Sequence, residues 1–465
     1  MIASAQTGAA AAPTLSIAGH VRETVKLALP VMLARAGLVI MITVDTMMTG
    51  RAGVEPLAHY AISLAPHITM MTIGIGLLSG TVVFSAQMVG AGRFEECGRI
   101  WHRALAIAGI IGLFYWVVLL FGEEIVTLMG QTPAIAEGGG RALSLFGPGM
   151  PAILLYMATT LFLEGINRPI PGMVISLSAN LLNAALNWIF IWGHLGLPEM
   201  GAAGATLATS LTRWAMFLAI LGYVLTMRDR ARYGIGGSAV GPPAVGTVPL
   251  LKLGVPLALA IGLETSSFSA AAALAGLLGT ASLAAYQISL NFLALVYMLT
   301  LGIGIATAVR VATAVGAHDR EGAARAGWVG TGLVVLLMLL LAVATRLGHD
   351  TIARLYTIEP EVLPLAMAGL GIAAWMMVAD GIQGVLIGAL RGLADAIVPT
   401  VVYGLSFWIL GIPLAWWFGL RAGLGVPGLL WSMTLGLVVA ALLLAWRFHA
   451  LTRSAAPPAR PFSAG

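Results

Sequence analysis

Residues 373–390 read AAWMMVADGIQGVLIGAL, an apolar run with one carboxylate, Asp380, near its middle. As a helix this run crosses most of a hydrocarbon core roughly 30 Å thick. An ionised carboxylate in hydrocarbon is costly, so a membrane protein keeps one where it lines a wet cavity or binds something. Two further stretches have the same character: LVIMITVDTMMTG (38–50) around Asp45 and GVPLALAIGLETSSF (254–268) around Glu264. Three such acids, far apart in the chain, point to a shared interior site for protons, metal cations or cationic solutes.

The rest of the sequence agrees with a spanning reading. Hydrophobic residues make up 59% of the chain and charged residues 9%, and the mean hydropathy is +0.96. So little charge cannot cover the surface of a soluble protein. Apolar runs of about 20 residues recur near 27–48, 60–86, 104–122, 143–163, 170–193, 202–226, 250–273, 284–309, 326–345, 362–388, 396–418 and 426–446. The runs are continuous rather than alternating, which excludes a barrel. The expected fold is an all-α polytopic membrane protein with twelve spans.

The N-terminal stretch MIASAQTGAAAAPTLSIAG lacks the charged start and apolar block of a cleavable signal, so 1–21 reads as a loose tail, as does 448–465. The single Cys97 excludes an intrachain disulfide. A pI near 9.6 is compatible with nucleic-acid binding, but the basic residues are distributed as a membrane topology requires. With an even helix count and a cytoplasmic N-terminus, 17 of the 24 basic residues fall in cytoplasmic segments and five in outer loops. Arg35 and Arg213 lie inside spans. This asymmetry predicts both termini in the cytoplasm of a cell whose inner membrane holds the protein.

The chain also repeats itself. LALP (27–30) returns as LGVP (253–256), LAHYAISL (57–64) as LAAYQISL (283–290), and VGAGRFEECGR (89–99) as VGAHDREGAAR (315–325), each at an offset of 226 residues. Repeated loops fall on the same membrane side, so two six-helix lobes, 22–227 and 250–447, are expected to be related by an axis along the membrane normal. The Gly-, Pro- and Arg-rich segment 228–249 reads as a cytoplasmic linker. Two like bundles on a linker suit alternating access to a site between them.

The order and spacing of these motifs resemble the multidrug and toxic compound extrusion (MATE) family, in its NorM-like branch. The resemblance rests on LALP (27–30) with VDTMMTG (44–50), VGAGRFEECGR (89–99), NLLNAALNWIFIWG (180–193), GVPLALAIGLETSSF (254–268), RVATAVGAHDREGAARA (310–326) and ADGIQGVLIGALRGLAD (379–395), and spans about residues 22–447. It implies a cation-coupled drug antiporter with two six-helix lobes in a V. Asp45 stands at the family's first-helix aspartate. Glu264 and Asp380 match the seventh- and tenth-helix acids implicated in binding the coupling cation, Na⁺ or H⁺, and are the candidate Na⁺ ligands. Asn180, Asn183 and Asn187 fall in the fifth-helix polar patch facing a substrate cavity. The DinF-like branch carries an aspartate at the position of Asn187 and lacks the seventh-helix acid, and this chain departs from it at both places.

Each of these residues also has a bland reading. Glu264 could be a protonated acid bonded to Ser266 or Ser267, and Asp45, nearer the outer end of its span, could snorkel to the surface. The three asparagines share one helical face by their spacing and could be interhelical glue. Pro30 and Pro256 occupy equivalent repeat positions and read either as tolerated residues near a helix start or as hinges. His67 reads as a packing histidine, and Glu164 and Arg168 as solvated residues at a cytoplasmic helix end. Arg35 either pairs with a neighbouring acid or snorkels.

No CxxC, HExxH or phosphate-binding loop is present, so the chain does not read as an enzyme, and no cofactor beyond the coupling ion is expected. A membrane enzyme for lipid-linked substrates would place paired acids at the interface. A flippase for a lipid-linked precursor would need cavity cations to meet phosphates, whereas the intramembrane charge here is mainly acidic. The expected partners are cationic small-molecule drugs and membrane lipid, with no nucleic acid, for a monomeric protein.

Overall fold

The computed structural model describes residues 16–236 and 244–453. Among them there is no strand, and long apolar helices follow one another along the chain. The spans are α1 (Ile17–Ala52), α2 (Val54–Gly90, broken at Ser79), α3 (Phe94–Leu119), α4 (Pro133–Phe146 and Gly149–Gly165, bent by 41°), α5 (Ile170–Trp192) and α6 (Gly201–Thr226). They continue as α7 (Thr247–Leu277), α8 (Thr280–Gly316), α9 (Arg320–Tyr356), α10 (Leu363–Gly392), α11 (Ile397–Arg421) and α12 (Gly425–Arg453). With the bent pair counted as one span there are twelve, the number expected.

The tails and linker are more ordered than expected. Helix α1 begins at Ile17, capped by Ser16 Oγ accepting from Gly19 N at 3.2 Å, so five residues of the expected N-terminal tail are helical. At the other end α12 runs on to Arg453; residues 1–15 and 454–465 lie outside the described residues. The linker expected over 228–249 gives way to α7 at Thr247, and its described parts are strapped to α3. Tyr233 packs edge-on against Phe94, the Arg232 guanidinium covers the same ring at 3.9 Å, and Ala244 N donates to Glu96 Oε2 at 3.1 Å. Residues 237–243 lie outside the described set.

The repeat extends to backbone detail. Gly53 and Gly279, 226 apart, both adopt extended positive-φ conformations between the first two spans of their halves. Gly92 and His318, again 226 apart, are both left-handed at 71° and 57°. Each is followed by the same helix-closing bond, Arg93 N to Met88 O and Asp319 N to Ala314 O, both 2.9 Å. Asn167 and Ala394, 227 apart, are a further left-handed pair, at φ 62° and 60°. The next residues carry opposite charges, each satisfied within its own lobe: Arg168 forks onto Asp229 (2.6 and 3.1 Å), and Asp395 accepts from Arg447 Nε (2.7 Å).

Burial along α2 and α8 shows how the lobes meet. Residues 54–73 of α2 and 280–299 of α8 are buried on one side only, whereas 78–88 and 302–309 are buried all round. The all-round stretches lie in the half of the bundle that bears the chain termini. There the backbones come close: a Cβ at Gly76 would stand 2.8 Å from Ala258 Cα, and one at Gly302 would strike Met32 of α1. Gln87 Nε2 donates across the seam to Gly392 O (3.2 Å), and Arg310 donates to His20 O (2.8 Å) and Thr24 Oγ1 (2.6 Å). Without a hydrophobic drive between helices in lipid, small residues at the seam let dispersion and hydrogen bonds hold it. The lobes are closed against each other on this side, and their inner faces diverge towards the other.

Pro30 and Pro256 lie 13 and nine residues inside α1 and α7, so neither is a helix-start residue. Each removes a ladder bond within a span. Thr400 Oγ1 donates to Pro256 O at 2.7 Å and ties α11 to α7 at this level.

Candidate functional site: two acid networks

The three acids do not share one site. Asp45 sits wholly in the first lobe and Glu264 with Asp380 wholly in the second, and their hydrogen-bond partners do not overlap.

In the first lobe, Asp45 of α1 is fully buried rather than snorkelling. Its carboxylate accepts from Asn187 Nδ2 (2.6 Å, α5), Thr209 Oγ1 (2.6 Å, α6) and Tyr60 Oη (3.1 Å, α2). Asn183 extends the network: its Oδ1 accepts from Asn187 (3.2 Å) and its Nδ2 donates to Thr209 (3.3 Å). Both asparagines have no exposed surface. Asn180 is not in this network; it donates to Gly37 O (3.1 Å) and Ser176 O (2.9 Å) and ties α5 to α1. One turn along α6 from Thr209 lies Arg213, buried, whose Nη2 contacts His67 Nε2 at 2.9 Å. His67 is stacked on Phe146 with centroids 4.0 Å apart. Asp45 therefore has three hydrogen-bond donors around its carboxyl and a buried arginine beside it.

The second lobe is built differently. Glu264 of α7 and Asp380 of α10 are only half-buried, and they share one donor. Gln383, three residues along α10 and on the same face, gives Nε2 to Glu264 Oε1 (3.0 Å) and to Asp380 Oδ1 (3.3 Å). Ser267 and Ser266 bond backbone carbonyls, at Glu264 and Leu263, and not the Glu264 carboxyl. The phenols of Tyr297 and Tyr403 lie within electrostatic reach of both acids. Two carboxylates with one amide between them repel unless something positive joins them. The carboxylate and phenol oxygens suit a proton or a hard monovalent cation.

The expected solvation of Glu164 is wrong. It is buried and forked to Arg35 Nη2 at 2.9 and 3.3 Å, which also gives Arg35 its partner. Arg391 of α10 lies near this pair from the other lobe. Gln383 and Thr209 were not singled out in the sequence, although Gln383 stands in ADGIQG at helical spacing from Asp380.

The MatE sequence model matches residues 30–189 and then 256–417, so its two matched segments begin at the paired prolines Pro30 and Pro256. The chain belongs to the MatE family. It is a transporter rather than an enzyme. Among relatives of this MatE chain, a probable multidrug resistance protein NorM of Rhodopseudomonas palustris is 36% identical over 93% of this chain and 92% of its own. The multidrug resistance protein NorM of Vibrio cholerae is 34% identical, over 92% and 95%. A solved outward-facing conformation of a multidrug resistance MATE family transporter superposes with a TM-score of 0.84 at 20% identity, covering 94% of this chain and 97% of its own. That likeness establishes the fold of this MatE protein, two lobes of six helices.

Proposed function

We propose that this MatE protein exports cationic or amphipathic small molecules in exchange for Na⁺ or H⁺ by alternating access, as a monomer in a bacterial inner membrane. The observation that carries this reading is the Glu264–Asp380 pair, two half-buried carboxylates of one lobe with a single shared donor. Such a pair is stable once a proton or cation neutralises it, and a cationic drug competes for the same charge. Coupling is then exclusion: the ion that enters from outside displaces the drug. Inward passage of one charge contributes about 2.3 kcal/mol per 100 mV.

The lobes over 22–227 and 250–447 are the moving bodies in this reading. With both termini in the cytoplasm, the closed half faces inward and the diverging inner faces open outward. Interior Pro30 and Pro256 supply bending points in α1 and α7. The three donors on the Asp45 carboxyl support a role in shaping the first-lobe wall with Asn183 and Asn187, while the ion exchanges in the second lobe. The names of the NorM relatives support drugs as cargo. A lipid-linked flippase is less well supported, because the intramembrane acids Asp45, Glu264 and Asp380 line the interior and Arg35 is already paired with Glu164.

The test is drug exchange in proteoliposomes under a Na⁺ gradient alone and a pH gradient alone. Asp380→Asn and Glu264→Gln should reach the membrane normally and lose ion-driven exchange, and the double variant should be little worse than either. Wild-type exchange by Asp380→Asn overturns the coupling assignment. A reporter after Arg232 should read as cytoplasmic and one near Glu359 as external; the reverse overturns the orientation.

A further inference from the structure

Gln383 is the side chain that hydrogen-bonds both acids of the second-lobe site. It is fully buried, and its Nε2 serves both acids. Its Oε1 is also buried and has no hydrogen-bond partner. Folded proteins seldom leave a buried amide oxygen unpaired, and where they do the exception calls for an explanation. The amide turns its N–H side to the two acids, the orientation that two charged carboxylates demand. The amide has two hydrogens and there are two acids, one bond each. This satisfies the pair only while both acids are charged.

Neutralising the pair reverses the demand. A cation between Glu264 and Asp380 needs oxygens around it, and a protonated carboxyl needs an acceptor. In both cases the N–H face becomes the wrong face. The terminal torsion of glutamine is broad, so the amide turns over without moving α10. Tyr297 of α8 and Tyr403 of α11 are the titratable groups that flank the site from neighbouring helices, with Arg391 further along α10. Tyr403 lies within hydrogen-bonding reach of the Gln383 amide, and Oε1 itself has no partner. The unpaired oxygen is thus held in reserve beside the place where the ion enters.

We propose that Gln383 is the third ion-contacting residue of the coupling site, an amide that bridges the empty acids through Nε2 and turns Oε1 onto the entering monovalent cation. The proposal rests on the coupling role of Glu264 and Asp380 and adds the residue that sets ion affinity there. It separates two steps. The acids supply the charge that makes exchange possible, and Gln383 sets how much ion is needed and holds the acids in register between turnovers.

The experiment uses the purified full chain, with Glu264→Gln beside Gln383→Leu and Gln383→Glu. Binding of ²²Na⁺ and of a fluorescent cationic drug is measured in detergent, and exchange in proteoliposomes over a series of Na⁺ concentrations and, separately, of pH. Gln383→Leu should raise the half-saturating ion concentration at least tenfold, with maximal exchange at saturating ion kept within about twofold. Gln383→Glu retains length and oxygen but adds charge and loses the bridging N–H. It should bind the ion at least tenfold more tightly and slow its release, and this opposite shift is not expected of a residue that only fills space. Wild-type half-saturation in both Gln383 variants, with Glu264→Gln inactive, overturns the role of Gln383 and leaves the coupling site standing. Wild-type exchange by Glu264→Gln overturns the coupling site itself and this inference with it. If Gln383→Leu does not fold, the sign of the shift in Gln383→Glu decides alone.

Discussion

Asp45→Asn tests whether the two acid networks differ in kind. Asp45 accepts three hydrogen bonds at 2.6, 2.6 and 3.1 Å, from Asn187, Thr209 and Tyr60, and none of these side chains is exposed. An asparagine presents one oxygen and one NH₂. Thr209 and Tyr60 share Oδ2, so the remaining oxygen can serve them, but the NH₂ then faces the Asn187 NH₂. One buried donor is orphaned, at about 1–3 kcal/mol, and the two surviving bonds lose their charge assistance. Buried Arg213 also loses its nearest carboxylate. Relief of the desolvation of Asp45 offsets part of this. The net is a destabilisation of about 2–4 kcal/mol. Asp380→Asn, by contrast, removes a half-buried charge with a single weak donor and should leave the fold as stable as the wild type, within about 1 kcal/mol. The assay is thermal unfolding of the two purified variants in one detergent. Equal midpoints for Asp45→Asn and wild type would refute the reasoning, since the three donors must then be satisfied some other way.

Glu164→Gln strands Arg35, which is nine-tenths buried, and should cost about 3–5 kcal/mol in the same unfolding assay; adding Arg35→Met should recover most of that loss, and failure to recover assigns the effect to packing. Cysteines at Gly76 and Ala258 on a Cys97→Ala background should cross-link on oxidation once the seam gives by a few tenths of an ångström, because their Cβ atoms would start 3.1 Å apart, just short of the roughly 3.5–4.5 Å of disulfides. Oxidised protein should stop exchanging drug and reduced protein should resume; exchange that continues when cross-linked means the lobes do not part there. Pro30→Ala restores a ladder bond inside α1 and should slow exchange while drug binding persists; unchanged exchange leaves Pro30 as a tolerated helix residue.

Much of the fold was readable along the chain because its causes are local. Length and apolarity of a run decide whether it spans, and eleven spans with one bent pair match the runs from 27 to 446. The bend in α4 was not visible as a break, since Gly147 and Pro148 sit within continuous hydrophobicity. Tails were set too long because small polar residues such as Ser16 read as loop, yet Ser16 caps a helix. The acids stood out because a carboxylate among apolar neighbours is improbable unless something pairs with it.

By itself, then, the sequence determined the class, the duplication at an offset of 226 residues, and the three intramembrane acids, all of which follow from hydrophobic run length, internal similarity and the cost of buried charge. The tertiary structure alone decided what each acid faces. Asp45 meets Asn187 across 142 residues, Glu264 meets Gln383 across 119 and Arg35 meets Glu164 across 129. No periodicity within one helix encodes such meetings, because which faces of two helices touch depends on how every span packs at once. Packing gave Asp45 three donors and left Glu264 and Asp380 to share one. That difference is the physical ground for proposing the ion site at the second pair rather than at Asp45.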